Sequence, residues 1–125
     1  MRILAISDIH GCNLTFQHMV EKVLDLQKDD ILVLCGDFID RGPDSKGVIN
    51  YILKLQKQGF HIECLRGNHE AMMLHCLDFP ESMATNWLFN GGRETLASYR
   101  CSHPDEFPPN HSGVLPIPEV LRPGK

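Results

Sequence analysis

Apolar residues along the chain form short unbroken runs that alternate with longer stretches repeating every three to four residues. RILAIS (2–7) carries the first run. It has strand length and is expected to be buried on both faces, as parallel strands are, before it ends at Asp8. Phe16, Met19, Val20, Val23 and Leu24 then recur at i, i+3, i+4, i+7 and i+8. That spacing is the stripe of an amphipathic helix, with Asn13 placed to cap its start. DILVLC (30–35) repeats the strand pattern and is followed at once by Gly36 and Asp37. A second helix, capped by Asp44 or Ser45 and stopped at Gly59, turns Val48, Ile49, Ile52 and Leu53 inward. HIECL (61–65) makes a third strand, and Ala71, Met72, Met73, Leu74 and Leu77 mark a third helix. The predicted order is β-α-β-α-β-α.

Strands alternating with crossover helices predict an α/β fold, a three-layer αβα arrangement around a mostly parallel sheet. Right-handed connections bring the C-terminal ends of all three strands to one edge, where open α/β sheets bind ligands. Each strand ends in a polar cluster: SDIHG (7–11), GDFIDRG (36–42) and GNHE (67–70). The clusters are therefore expected to converge in space. From residue 80 the periodicity weakens, and NWLFNGGRETLASY (86–99) reads as a loop followed by a short helix. Residues 103–125 hold six prolines and no apolar periodicity, a tail composition. The expected organisation is one domain over 1–100 and a Pro-rich irregular tail over 101–125, with no internal repeat and no second domain.

Composition narrows the classes. A chain of 125 residues with 42% hydrophobic content suits one small packed domain. A net charge of −4 without Lys/Arg blocks argues against a nucleic-acid partner. No apolar run approaches the roughly 18 to 20 residues that cross a bilayer. Met1-Arg2 leads straight into a strand without a signal-peptide pattern, so a cytoplasmic protein with no membrane partner is expected. Five cysteines (Cys12, Cys35, Cys64, Cys76, Cys101) lack CxxC spacing and read as reduced, mostly buried thiols.

The three clusters carry donors for a divalent metal. Asp8, His10, Asp37 and Asn68 offer carboxylate, imidazole and amide oxygen, a set suited to Mn, Fe or Zn. Asp37 is central, and its carboxylate can bridge two ions about 3.5 to 4 Å apart, as in two-metal phosphatases. Water on such ions loses a proton near neutral pH, giving a hydroxide aimed at phosphorus. Arg41 supplies a planar fork for phosphoryl oxygens, and His69, oriented by Asp40, can protonate the leaving oxygen. Taken singly, each residue has an ordinary role: His10 as a bonded loop histidine, Asp37 as a turn cap, Asp40-Arg41 as a surface ion pair, Asn68 as a turn residue. Their joint placement at three strand ends favours a site. His18, His61, His75, His103 and His111 read as surface or tail residues, Met72, Met73 and Leu74 as core, and Glu21, Lys22, Lys28 and Asp29 as a solvated face.

With these motifs the chain resembles the calcineurin-like metallophosphoesterases, and within them the serine/threonine protein phosphatases, whose pattern reads GDxHG, GDxxDRG, GNHE. NWLFNGGRETLASY also looks like the WLxNGGxxT segment of bacterial and phage members, so the resemblance covers residues 1 to about 99. It implies that Asp8, His10 and Asp37 hold a first metal, Asp37 and Asn68 a second, that His69 and Asp40 form the acid pair, and that Arg41 and Asn68 contact phosphate. Ser7 stands where the family often has Gly. The family also continues into strands that carry two more histidine ligands and another phosphate-binding arginine, which this chain lacks before its end at Lys125. The expectation is the N-terminal half of the family's sandwich, a truncated gene product or one altered near residue 103, impaired in activity and inclined to self-associate through an exposed sheet edge.

Substrates expected from that resemblance are a phosphorylated protein or a small phosphoester. A dinucleoside polyphosphate hydrolase shares the same three motifs, and a non-catalytic metal- or phosphate-binding fragment would fit the missing ligands. A Rossmann domain fits poorly, because SDIHGC after the first strand lacks the GxGxxG turn.

Overall fold

A computed structural model describes residues 1–78 and 86–101. Strands β1 (Ile3–Ile6), β2 (Ile31–Leu34) and β3 (His61–Cys64) form one parallel sheet in the order β1-β2-β3. Ile3, Ile31 and His61 stand in register, as do Ile6, Leu34 and Cys64. The protein is thus an α/β fold with the expected element order. Successive crossovers move across the sheet in one direction, so right-handed connections put both crossover helices on the same face. Helices α1 (Asn13–His18) and α2 (Ser45–Lys57) accordingly pack against each other.

The pleat sends Leu4, Ile6, Leu32, Leu34, Ile62 and Cys64 to the helix-covered face, where Leu32 and Leu34 are fully buried. Ile3, Ala5, Ile31, Val33, His61 and Glu63 point the other way and are exposed or half-exposed, Ile3 by 70%. Burial of the first strand on both faces is therefore not found. Two crossovers of one hand cover one face of a sheet; the other needs a further layer.

Local chemistry sets the helix ends. Asp44 caps α2, its Oδ1 accepting the Gly47 N–H at 2.9 Å, and Gly59 at φ +98° ends the turn after it. Val48, Ile49 and Ile52 are fully buried, Tyr51 and Leu55 nearly so, and Leu53 half-buried. The cap expected for α1 is different from the one observed. Cys12 occupies the capping position without a side-chain cap bond, and Asn13 instead donates to Asp44 Oδ2 at 3.1 Å. α1 runs on into a π-helical turn, Met19–Val23. The wider turn rotates the apolar stripe, so Phe16 and Val20 are buried while Val23 is 59% exposed. Glu21 lies on the solvated side as expected, yet accepts the Tyr51 hydroxyl at 2.7 Å.

Helix α3 (Asn68–Asp78) buries Met73, Leu74 and Cys76. Residues 86 and 87 are helical, and the chain passes on through a π-helical turn at Leu88–Gly92 into α4 (Arg93–Ser98). The loop expected before α4 is confined to a kink at Asn90 and Gly91, where Gly91 takes φ +104°. Trp87, Leu96 and Tyr99 join the main core. Of the five cysteines only Cys76 is buried; Cys12 and Cys35 are exposed, which corrects the expectation of mostly buried thiols. Cys35 directly follows β2, and Cys12 directly precedes α1. His18, His61 and His75 are exposed, whereas His103, His111 and the Pro-rich tail after Cys101 lie outside the described residues. No helix among the described residues is long and apolar enough to cross a membrane.

Asp30 ties the starts of β1 and β2 together. It accepts Arg2 Nη2 at 2.6 Å, Arg2 Nε at 3.1 Å, the Arg2 N–H at 3.1 Å and the Gln27 N–H at 2.9 Å. The Arg2 guanidinium, then the Gln27 amide, hold its carboxyl down at about 2. A depressed folded-state pKa adds stability above the ordinary carboxylate range that disappears as pH falls through the folded value. Asp30→Asn should therefore lower the melting temperature at pH 7, with the gap to wild type closing as pH drops from about 4 toward 2. Thermal melts across that range check it; a constant gap would show that charge plays no part.

Candidate active site

The three polar clusters do converge. Loop 7–12 is stitched to loop 36–42 by main-chain bonds from His10 N–H to Asp37 O (3.0 Å) and Gly11 N–H to Phe38 O (2.8 Å). Loop 36–42 is stitched to the start of α3 by the His69 N–H donating to Asp37 Oδ1 at 3.1 Å. Gly36 makes the close approach possible: at φ +100°, a Cβ there would lie 2.5 Å from the Gly67 nitrogen.

Asp8, His10 and Asp37 each present a ligand atom within 4.8 Å of the others. The His10 Nδ1 lies 2.8 Å from the Ile39 carbonyl. A hydrogen bond there assigns the proton to Nδ1 and leaves the Nε2 lone pair for a metal, the usual state of a ligating histidine. The Asn68 amide sits against Asp37, 3.1 Å from Oδ1 and 3.2 Å from Oδ2. With its nitrogen turned inward the amide donates to the carboxylate; with its oxygen inward, acceptors face one another as they would around a shared cation. This donor set of carboxylates, imidazole and amide fits a divalent ion of the Mn, Fe or Zn kind.

Beside it lies the second pair. His69 is buried, with Nδ1 2.9 Å from Asp40 Oδ2, and its ring meets that of His10 edge-on with centroids 4.6 Å apart. Asp40 is fully buried and also accepts Trp87 Nε1–H at 2.9 Å and the Thr95 hydroxyl at 2.7 Å. Burial pushes its carboxyl pKa up, and the bonds from Thr95, His69 and Trp87 oppose that rise. Its own N–H donates to Thr95 Oγ1 (2.9 Å) and Ser45 Oγ (3.1 Å). Arg41 is exposed: its N–H donates to Gly91 O at 3.1 Å, and its side chain lines an open groove with Phe89, Asn90, Gly91 and Arg93.

Backbone strain concentrates here. Asp8, His10, Asp37, Asp40 and Arg41 all have positive φ, between 44° and 76°. Left-handed backbone is costly for residues with a Cβ and persists where surrounding contacts hold it, commonly at functional sites.

Every site residue expected from the motifs thus reaches the shared edge, Arg41 on its outer side. Glu70, Ser45, Trp87 and Thr95 are not among the site residues expected from the motifs, yet they hold the site from behind. Glu70 has the position of a capping-box acid, a signal available in GNHE. Trp87 and Thr95 lie in the NWLFNGGRET segment. Their partner Asp40 is 47 and 55 residues away, a pairing set only by tertiary structure.

The family model for calcineurin-like phosphoesterases matches residues 1–119. The chain belongs to the calcineurin-like phosphoesterase family. It is 41% identical over 93 residues to serine/threonine-protein phosphatase 1 of Salmonella typhimurium, covering 72% of this chain and 38% of that protein. It is 40% identical over 74 residues to the symmetrical bis(5'-nucleosyl)-tetraphosphatase of Buchnera aphidicola subsp. Schizaphis graminum, covering 59% of this chain and 26% of that one. This phosphoesterase-family chain therefore spans well under half the length of these curated relatives. A solved cold-active protein tyrosine phosphatase superposes with a TM-score of 0.55 over 85% of this chain and 34% of its own, at 20% identity, a likeness of fold.

Thr95→Val tests the support around Asp40. Valine keeps the shape, but a fully buried carboxylate loses one donor. The expected cost is about 1 to 3 kcal/mol in urea unfolding. An unmoved midpoint would mean that water replaces the hydroxyl.

Proposed function

We propose that this chain carries the metal-binding and acid-base half of a phosphoester hydrolase of the serine/threonine protein phosphatase type. The observation behind the reading is the juxtaposition of the Asp8–His10–Asp37 ligand cluster with the His69–Asp40 pair. Divalent ions, when bound, supply a Lewis acid for phosphoryl oxygens and an acidified water as nucleophile. Asp8, His10 and Asp37 are the residues to hold one ion, and Asp37 with Asn68 the second. Arg41 and Asn68 hold the phosphoryl group, Arg41 through its planar fork. Asp40 keeps the His69 ring oriented, and His69 passes its proton to the departing alkoxide, the step that a poor leaving group needs.

A dinucleoside polyphosphate is the second substrate reading, favoured by the name of the Buchnera relative. The reading extends to a cytoplasmic setting, in keeping with an odd cysteine set that has no CxxC spacing. It also places the working domain in residues 1–100, with 101–125 as a Pro-rich tail. Self-association through the β1 edge and the open face at Ile3 and Ala5 would show as concentration-dependent sedimentation.

Turnover of a phosphoserine peptide, diadenosine tetraphosphate and nitrophenyl phosphate with Mn²⁺, beside calorimetric titration of the same sample, tests the assignment. At least one tightly held ion is expected, because Asp8, His10 and Asp37 give three protein ligands. The second ion has only Asp37 and Asn68 among the described residues. Weak holding there removes charge stabilisation worth several kcal/mol. At about 1.4 kcal/mol per tenfold, the 125-residue chain should turn over orders of magnitude more slowly than the Salmonella relative. Two tight ions and full turnover would overturn the ligand count; no metal uptake would overturn the site.

A further inference from the structure

We propose that Glu70 is a positioning residue of the metal centre: its buried carboxylate clamps the Asp37 main chain to the start of α3 and so sets where the Asp37 carboxylate stands. The proposal rests on the reading of Asp37 as a metal ligand. Glu70 is fully buried, yet it faces no cationic side chain among its bonded partners. Those partners are four main-chain N–H groups. Oε1 accepts from Asp37 at 2.6 Å and Gly67 at 2.9 Å; Oε2 accepts from Phe38 at 2.7 Å and Ile39 at 3.3 Å. One side chain thus joins the loop after β2 to the loop after β3.

The contact with Gly67 is half of a capping box, in which an acid in the first helical turn reaches back to the capping residue's N–H. Glycine has no side chain for the other half. Asp37 supplies it from a different loop, its Oδ1 accepting the His69 N–H at 3.1 Å. Helix start and ligand loop therefore hold each other. Asp37 sits at φ +56°, a strained backbone that these bonds keep in place. A glutamine at 70 has one acceptor oxygen, so its NH₂ would confront two main-chain donors.

The test uses the whole chain. Glu70→Gln, Glu70→Asp and the control Leu55→Ala are titrated calorimetrically with Mn²⁺, and amide hydrogen exchange is followed in the metal-free proteins. Leu55 is buried near the C-terminal end of α2, the opposite end of that helix from Ser45, which bonds Asp40. Loss of an outer-shell partner typically weakens metal binding roughly 10- to 100-fold. That rise in Kd is expected for Glu70→Gln, with faster exchange at Asp37, Phe38 and Gly67. Leu55→Ala should lower the melting temperature and leave Kd alone. An unchanged Kd in folded Glu70→Gln, or an equal rise in Leu55→Ala, overturns the proposal. If Glu70→Gln does not fold, Glu70→Asp, whose carboxylate is one methylene short, is judged by the same criteria. Should wild type take up no Mn²⁺, the metal reading fails by itself, and unchanged exchange at the three amides would then refute the clamp.

Discussion

Asp37→Ala is expected to strip more metal from the protein than any other single substitution. Asp8 and His10 present ligand atoms within 4.8 Å of the Asp37 carboxylate, and the Asn68 amide meets both of its oxygens, so in the proposed site Asp37 is the ligand that two ions share. The Kd for Mn²⁺ should rise by more than the roughly 10- to 100-fold cost of losing an outer-shell partner. Alanine also removes the acceptor of the His69 N–H and lacks the tolerance of Asp and Asn for left-handed backbone. Asp37→Asn separates these effects, since it keeps one oxygen and suits φ +56° while discarding the charge. Metal content after dialysis and calorimetric affinities of Asp8→Ala, His10→Ala, Asp37→Ala, Asp37→Asn and Asn68→Ala decide the matter. If Asp37→Ala holds as much metal as wild type under the same handling, the bridging role is wrong.

His69→Asn should slow hydrolysis of an alkyl phosphate by about 10²- to 10⁴-fold, the usual worth of a positioned general acid. Nitrophenyl phosphate should lose far less, because nitrophenolate leaves readily without a proton. Geometry gives the reason: Nδ1 is committed to Asp40, which leaves Nε2 as the ring nitrogen able to meet a leaving group, on a ring whose centroid is 4.6 Å from that of His10. The buried Asp40 carboxylate, held by Trp87 and Thr95, keeps the ring in that orientation. Asp40→Asn should reproduce the leaving-group dependence more weakly, since the ring remains but loses its charged partner. Paired rate measurements on both substrates, on whatever turnover the chain supports, give the answer. Equal losses on the two would remove His69 from the acid role.

Sequence alone determined the element order, the parallel sheet and the convergence of the three motifs. Hydrophobic periodicity and the handedness of crossovers are local or topological rules, and they placed Asp8, His10, Asp37, Asp40, Asn68 and His69 at one edge before any coordinates. The Asp44 cap of α2 was legible for the same reason: a cap is a contact between residues three apart. Tertiary structure decided the rest. One-sided burial of β1 follows from what packs on each face, which an apolar run cannot report. The π-helical turn at Met19–Val23 rotated the α1 stripe away from ideal spacing and turned Val23 outward. Asn13 left its cap for Asp44, 31 residues along the chain. The left-handed backbone of five site residues, and the hold of Glu70 and Thr95 on loops 31 to 55 residues distant, arise where several chain segments compete for the same buried donors and acceptors. Buried polar groups must be satisfied by whatever lies beside them in space, and a linear sequence does not say what that neighbour is.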